Sequence, residues 1–117
     1  LTIRIKNLRL RTIIGINDWE RKKKQDIILN IKFEFDGEKF NKLDDINQTV
    51  DYKSLTKEII EKVEKSEFWL LERLSQFIND IVLNDQRVIR VTTRVDKPHA
   101  LRFADSVSVE STKERSG

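Results

Sequence analysis

A chain of 117 residues without cysteine has no disulfides, no thiolate nucleophile and no cysteine-based zinc site, and its length fits a single domain over 1–117 that buries roughly two-thirds of the surface its unfolded chain exposes. Its 23 basic and 20 acidic side chains leave a net charge of only +3, which fits a solvated surface or, where the bases gather in a cleft, a phosphorylated small molecule or a nucleic acid. No apolar run approaches the roughly 20 residues of a membrane span, no charged-then-apolar leader precedes Leu1, and the absence of methionine puts the start codon upstream, so a soluble, cytoplasmic protein is expected.

The first predicted element is a strand from Ile3 to Ile14 whose apolar phase slips at Asn7. Ile3 and Ile5 share one face, then Leu8 and Leu10, the displacement that a β-bulge produces. A polar segment, Gly15 to Gln25, separates it from the cleanest strand, Ile27 to Phe35. There Ile27, Leu29, Ile31, Phe33 and Phe35 point to a core, and Ile28, Asn30, Lys32 and Glu34 point away. Asp36 to Gln48 reads as a loop around Gly37 and Asp44-Asp45.

The period then changes to three and four, predicting helices from about Ser54 to Lys65 and Trp69 to Asn84, with Asp51 or Ser54 as cap of the first. Period two returns with Ile89, Val91, Thr93 and Val95 on one face against Arg90, Thr92 and Arg94. After Pro98 a last strand is expected to carry Phe103, Val107 and Val109 on one side, and the tail from Lys113 to Gly117 to fray.

The order ββααββ defines an α+β fold, a four-stranded antiparallel sheet with two helices on one face. The other face, with Arg4, Lys6, Lys32, Glu34, Arg90 and Arg94, should meet water, and two unpaired sheet edges favour subunits that join edge to edge.

Residue by residue, the chemistry stays open. Lys97, held extended before Pro98, is a catalytic amine or a surface lysine. Glu72, inside Leu70-Leu71-Glu72-Arg73-Leu74, is a ligand-binding carboxylate at the core's edge or a solvated helix residue. Glu20 and Tyr52 fall in a loop or at a helix start, where functional groups and ordinary polar surface both occur.

Read together, Asn7-Leu8, Ile14-Gly15-Ile16, Trp19-Glu20-Arg21, Gln25, Val50-Asp51-Tyr52, Phe68-Trp69-Leu70-Leu71-Glu72 and Asp96-Lys97-Pro98 make a pattern that resembles the dihydroneopterin aldolase/epimerase family over nearly the whole chain. The stretches Lys6 to Thr12, Gln25-Asp26-Ile27 and His99 to Ser108 look like its dihydroneopterin triphosphate 2′-epimerase branch.

The resemblance implies a tunnelling fold, in which four sheets close into an oligomeric barrel and two rings stack, a homo-tetramer or homo-octamer with active sites at subunit interfaces. It implies a small-molecule pterin substrate held by Glu72, Leu71, Val50 and Tyr52, with Glu72 accepting a planar two-donor edge of the ring and Tyr52 reaching in from a neighbour. Lys97 is implied as the amine that moves protons, with Glu20 orienting it and Tyr52 organising the proton path. No cofactor and no metal is implied, because the C6=N5 imine of the dihydropterin accepts the electrons of the breaking C1′–C2′ bond. An epimerase acting on a triphosphate needs cations around the tail, for which His99, Arg102 and Lys22-Lys23-Lys24 are candidates.

The alternative within the family is the aldolase, which releases glycolaldehyde and 6-hydroxymethyl-7,8-dihydropterin in folate biosynthesis. Outside it, a sheet that binds single-stranded nucleic acid would need exposed aromatics, whereas the phenylalanines of the second strand share the core side. A purely structural oligomer leaves Glu20, Tyr52, Glu72 and Lys97 without a reason to occur together.

Overall fold

The computed structural model describes residues 1–35 and 50–116, and the predicted loop from Asp36 to Gln48 lies outside them. Four strands, β1 (Thr2–Thr12), β2 (Gln25–Phe35), β3 (Val88–Pro98) and β4 (Ser106–Glu114), form one antiparallel sheet in the order β1-β2-β3-β4. Between β2 and β3 run α1 (Tyr52–Glu64) and α2 (Leu71–Leu83), and a 3-10 turn spans Asp18–Arg21.

Strict alternation builds the core in β2, where Ile27, Leu29, Ile31, Phe33 and Phe35 are all buried. Onto this face the helices lay stripes with helical spacing, Leu55, Ile59 and Val63 from α1 and Leu74, Ile78, Ile81 and Val82 from α2. Truncating a fully buried ring such as Phe33 to alanine should cost about 3–5 kcal/mol, because both its transfer energy and the cavity left behind count.

The slip in β1 is a bulge. Ile5 faces Ile31 and the next pair is Leu8 with Leu29, while Asn7 takes φ 53°, a left-handed conformation that asparagine tolerates better than most residues. Its backbone N–H donates to Asn30 Oδ1 at 3.0 Å, so the bulge is fastened to β2.

Asp51 caps α1, accepting from the N–H groups of Lys53 and Ser54 at 3.1 Å each, so this helix begins at Tyr52, before the expected Ser54. Helix α2 begins later than expected, because Leu70 is still extended (φ −118°, ψ 137°) and Trp69 is held elsewhere. Polar atoms under α2 are satisfied: Asn79 donates to Ser111 O at 3.1 Å and accepts from Thr93 Oγ1 at 2.7 Å.

Three expectations need correction. Ile89 is half exposed, since a second irregularity in the ladder sets Glu34 against Arg90 and Phe35 against Val88, and Val88 takes the core position. Phe103 belongs to no strand; it lies in the turn before β4 with 95% of its surface exposed, and only Val107 and Val109 are half-buried. The tail is not loose at Lys113. That residue and Glu114 are in β4, and Arg115 donates to the carbonyls of Val88, Leu83 and Asp85.

Candidate active site

After β1 the chain turns at Gly15, whose φ of 128° is rarely open to other residues, and enters the 3-10 turn that carries Glu20. Asparagine before such a turn and glutamate three positions on form a reciprocal cap, and here Asn17 N and Nδ2 both donate to Glu20 Oε1, at 3.1 and 2.8 Å. The cap folds the carboxylate inward, leaving 3% of the residue exposed.

Its other oxygen, Oε2, accepts from Gln25 Nε2 at 3.1 Å and forms an ion pair with the amine of Lys97. Gln25 opens β2 and also donates to Ile14 O at 2.8 Å, and Lys97 is the penultimate residue of β3 with its side chain 13% exposed. The sheet therefore brings residues 77 positions apart into a sequestered carboxylate–amine pair.

Burial alone would raise the Glu20 carboxyl, but hydrogen bonds from Lys97, Gln25 and Asn17 outweigh it and lower the pKa from 4.5 to about 2. Glu20 is thus a fixed negative charge at neutral pH.

Arg21, next to Glu20, ties this corner to the start of α2. It donates to Gly15 O at 3.0 Å, Phe68 O at 2.9 Å and Glu67 O at 2.5 Å, and its guanidinium lies 4.0 Å from the centre of the Trp69 ring. Gly15 N adds a bond to Phe68 O at 3.3 Å. The segment so gripped leads directly into Leu71 and Glu72, the first turn of α2.

Leu71 is half-buried against the core and Glu72 is exposed. Val50 is buried, whereas Tyr52, first residue of α1, is 55% exposed. Among the described residues no hydrogen bond or ion pair joins the side chains of Tyr52 or Glu72 to Lys97 or Glu20 within one copy of the chain. His99 is exposed with φ 64°, and Arg102 lies 5.6 Å from the Phe103 ring centre, pointing to no site residue.

Asn17 and Arg21 were not foreseen as site residues. The Asn-x-x-Glu spacing was a readable signal for Asn17, but Arg21 meets its partners 46 and 47 residues away. Among the described residues no group of three or more His, Cys, Asp or Glu side chains is placed to hold a metal ion, and no helix is long and apolar enough to cross a membrane.

A four-stranded antiparallel sheet, two helices on one face and a carboxylate–amine pair sealed at the end of β3 define a small enzyme of the tunnelling fold. The family model for dihydroneopterin aldolase (FolB) matches residues 3–112, and the chain belongs to that family. Dihydroneopterin triphosphate 2′-epimerase of Escherichia coli K12 is 44% identical over 113 residues, 97% of this chain and 94% of that protein. The enzyme of that name from Pseudomonas aeruginosa is 45% identical over 107 residues, 92% and 87% of the two chains. Among solved structures, E. coli dihydroneopterin aldolase in complex with neopterin superposes with a TM-score of 0.88 at 27% identity, covering 96% of this chain and 97% of that one.

Proposed function

We propose that the protein epimerises 7,8-dihydroneopterin triphosphate at C2′ by retro-aldol cleavage and re-addition. The observation that carries this reading is the buried pair of Glu20 and Lys97, found in a chain 44–45% identical to two enzymes named for that reaction.

In the proposed sequence Lys97 acts as the neutral amine and, directly or through water, takes the proton of the 2′-hydroxyl to become the ammonium beside Glu20. The C1′–C2′ bond breaks, its electrons pass into the C6=N5 imine, and C2′ leaves as an aldehyde. The aldehyde turns over, the bond re-forms on its other face, and the proton returns to the 2′-oxygen. Glu20, with both oxygens already accepting hydrogen bonds, holds the amine in place and balances its charge. Glu72, Leu71 and Val50 bind the pterin, and Tyr52 of a neighbouring copy guides the proton path. No step calls for a cofactor.

The intersubunit placement is supported by exposure and charge. Tyr52, Trp69 and Leu70 are about half exposed or more, and the two sheet margins differ in sign. On the open face β1 carries Arg4 and Lys6, which have no carboxylate partner among the described residues, and Arg4 sits directly across from Lys32, a like-charge pairing that destabilises a ladder. Outer strand β4 carries Glu110 and Glu114 on that face. Joining β4 of one copy to β1 of the next would set these charges against each other and close a tetrameric ring, stackable to an octamer, acting in the cytoplasm.

The test is to follow both candidate substrates separately. Conversion of dihydroneopterin triphosphate to its 2′-epimer, with weaker cleavage of dihydroneopterin, is expected. Rapid release of 6-hydroxymethyl-7,8-dihydropterin without epimer would make the aldolase the better reading, as the neopterin complex of the E. coli aldolase allows.

A further inference from the structure

Past Lys97 along β3, toward the open face of the sheet, the structure holds a concavity. A pocket of about 260 Å³ is lined by Arg9, Arg11, Asp26, Ile28, Pro98 and His99, among others. We infer that this pocket is the subsite for the triphosphate tail of the substrate, with Arg9 and His99 as the groups that meet phosphate oxygens. The inference rests on the epimerase reading above and adds the residues that select the phosphorylated substrate.

Three observations carry it. The first is reach: only Pro98 separates Lys97 from His99, and two residues of chain span at most about 7 Å. Lys97 faces the helix side with Glu20, whereas Arg9, Arg11 and Ile28 face the open side, so the tail, whose ester oxygen is one carbon from the atom attacked, would have to round the end of β3 at His99 to enter this pocket.

The second is the state of its charges. Arg11 is already engaged, 3.2 Å from Asp26 and donating to Lys24 O. Arg9 has no hydrogen bond or carboxylate partner from its side chain among the described residues, although the register with Ile28 points it to the same face. An arginine beside a salt-bridged neighbour in a concave site is suited to a phosphate, whose oxygens accept its planar fork of donors.

The third is backbone. His99 takes φ 64°, one of two non-glycine residues with positive φ among those described, and so turns the chain sharply as β3 ends. The other cationic candidates lack such a setting. Arg102 lies over Phe103, and Lys22, Lys23 and Lys24 are simply exposed.

The experiment compares kcat/KM for dihydroneopterin triphosphate and for unphosphorylated dihydroneopterin in the parent chain and in Arg9→Gln, His99→Ala and Arg102→Ala. Loss of one charged hydrogen bond should lower the triphosphate-to-dihydroneopterin ratio about tenfold in Arg9→Gln and in His99→Ala, with a smaller change in Arg102→Ala. An unchanged ratio in Arg9→Gln, or a larger fall in Arg102→Ala, overturns the assignment. Inorganic triphosphate gives a second measurement that needs no turnover: it should bind the parent chain and bind Arg9→Gln about tenfold more weakly. Equal binding to both overturns the subsite even if epimerisation is found. A parent chain that turns over neither substrate overturns the enzymic reading alone, and the binding comparison still decides whether this pocket takes a polyphosphate.

Discussion

Gly15 packs its α-carbon directly against the carboxylate of Glu20, leaving no room for a side chain between them. The left-handed turn and the burial of the charge are therefore one feature, since a methyl group at Gly15 would collide with Glu20 and would also be strained at φ 128°.

Gly15→Ala should accordingly destabilise the protein by about 1–3 kcal/mol, seen as a lower urea midpoint at unchanged slope. It should also displace Glu20 from Lys97 and slow turnover at least tenfold. Wild-type rates in a folded Gly15→Ala protein would show that the amine does not depend on this corner.

Lys97→Ala should abolish detectable turnover, a loss of about 10²–10⁴-fold or more for a proton-transfer group. The fold should persist, because Asn17 and Gln25 still donate to Glu20. Steady-state assays beside far-ultraviolet circular dichroism separate the two effects, and near-normal rates would remove Lys97 from the mechanism.

Acid should weaken the fold through Glu20. Its pKa is lowered from 4.5 to about 2 in the folded chain, so its stabilisation is fully present above about pH 4.5 and is lost as pH falls toward 2. The contribution is on the order of 3 kcal/mol. Urea midpoints at pH 6 and pH 3 should therefore differ more in the parent than in Glu20→Gln, and equal differences would refute the linkage.

Arg21→Ala should release the chain ahead of α2 from Gly15, Glu67 and Phe68 at once. With Glu72 less well placed, neopterin affinity should fall about tenfold, while kcat should change less, because the hydrogen bonds that hold Glu20 to Asn17, Gln25 and Lys97 do not involve Arg21. Fluorescence titration measures the first and initial rates the second.

Much of this architecture was legible in residue order. The alternation of Ile27 to Phe35 survives intact because a strand with one dry face has a single workable register, and the slip at Asn7 could be seen because an extra residue reverses the apolar phase. Ile89 misled because the irregularity that exposes it is set jointly by β2 and β3, and neither strand betrays it alone. Phe103 misled because its surface is left uncovered within one chain. At the site, the family pattern marked Glu20 and Lys97, and the packing of the sheet put them in contact. The grip of Arg21 on distant carbonyls has no local trace, since any exposed arginine would have looked the same.

The unlike margins of the sheet have a directional consequence. If copies join as proposed, a border rich in cations at β1 and one bearing Glu110 and Glu114 at β4 would act as hook and eye: matched copies would follow one another in only one sense, and every junction would repeat the last. Such a chain of copies either bites its own tail or grows without end. Swapping the signs on a single border would therefore leave copies with two identical ends that repel.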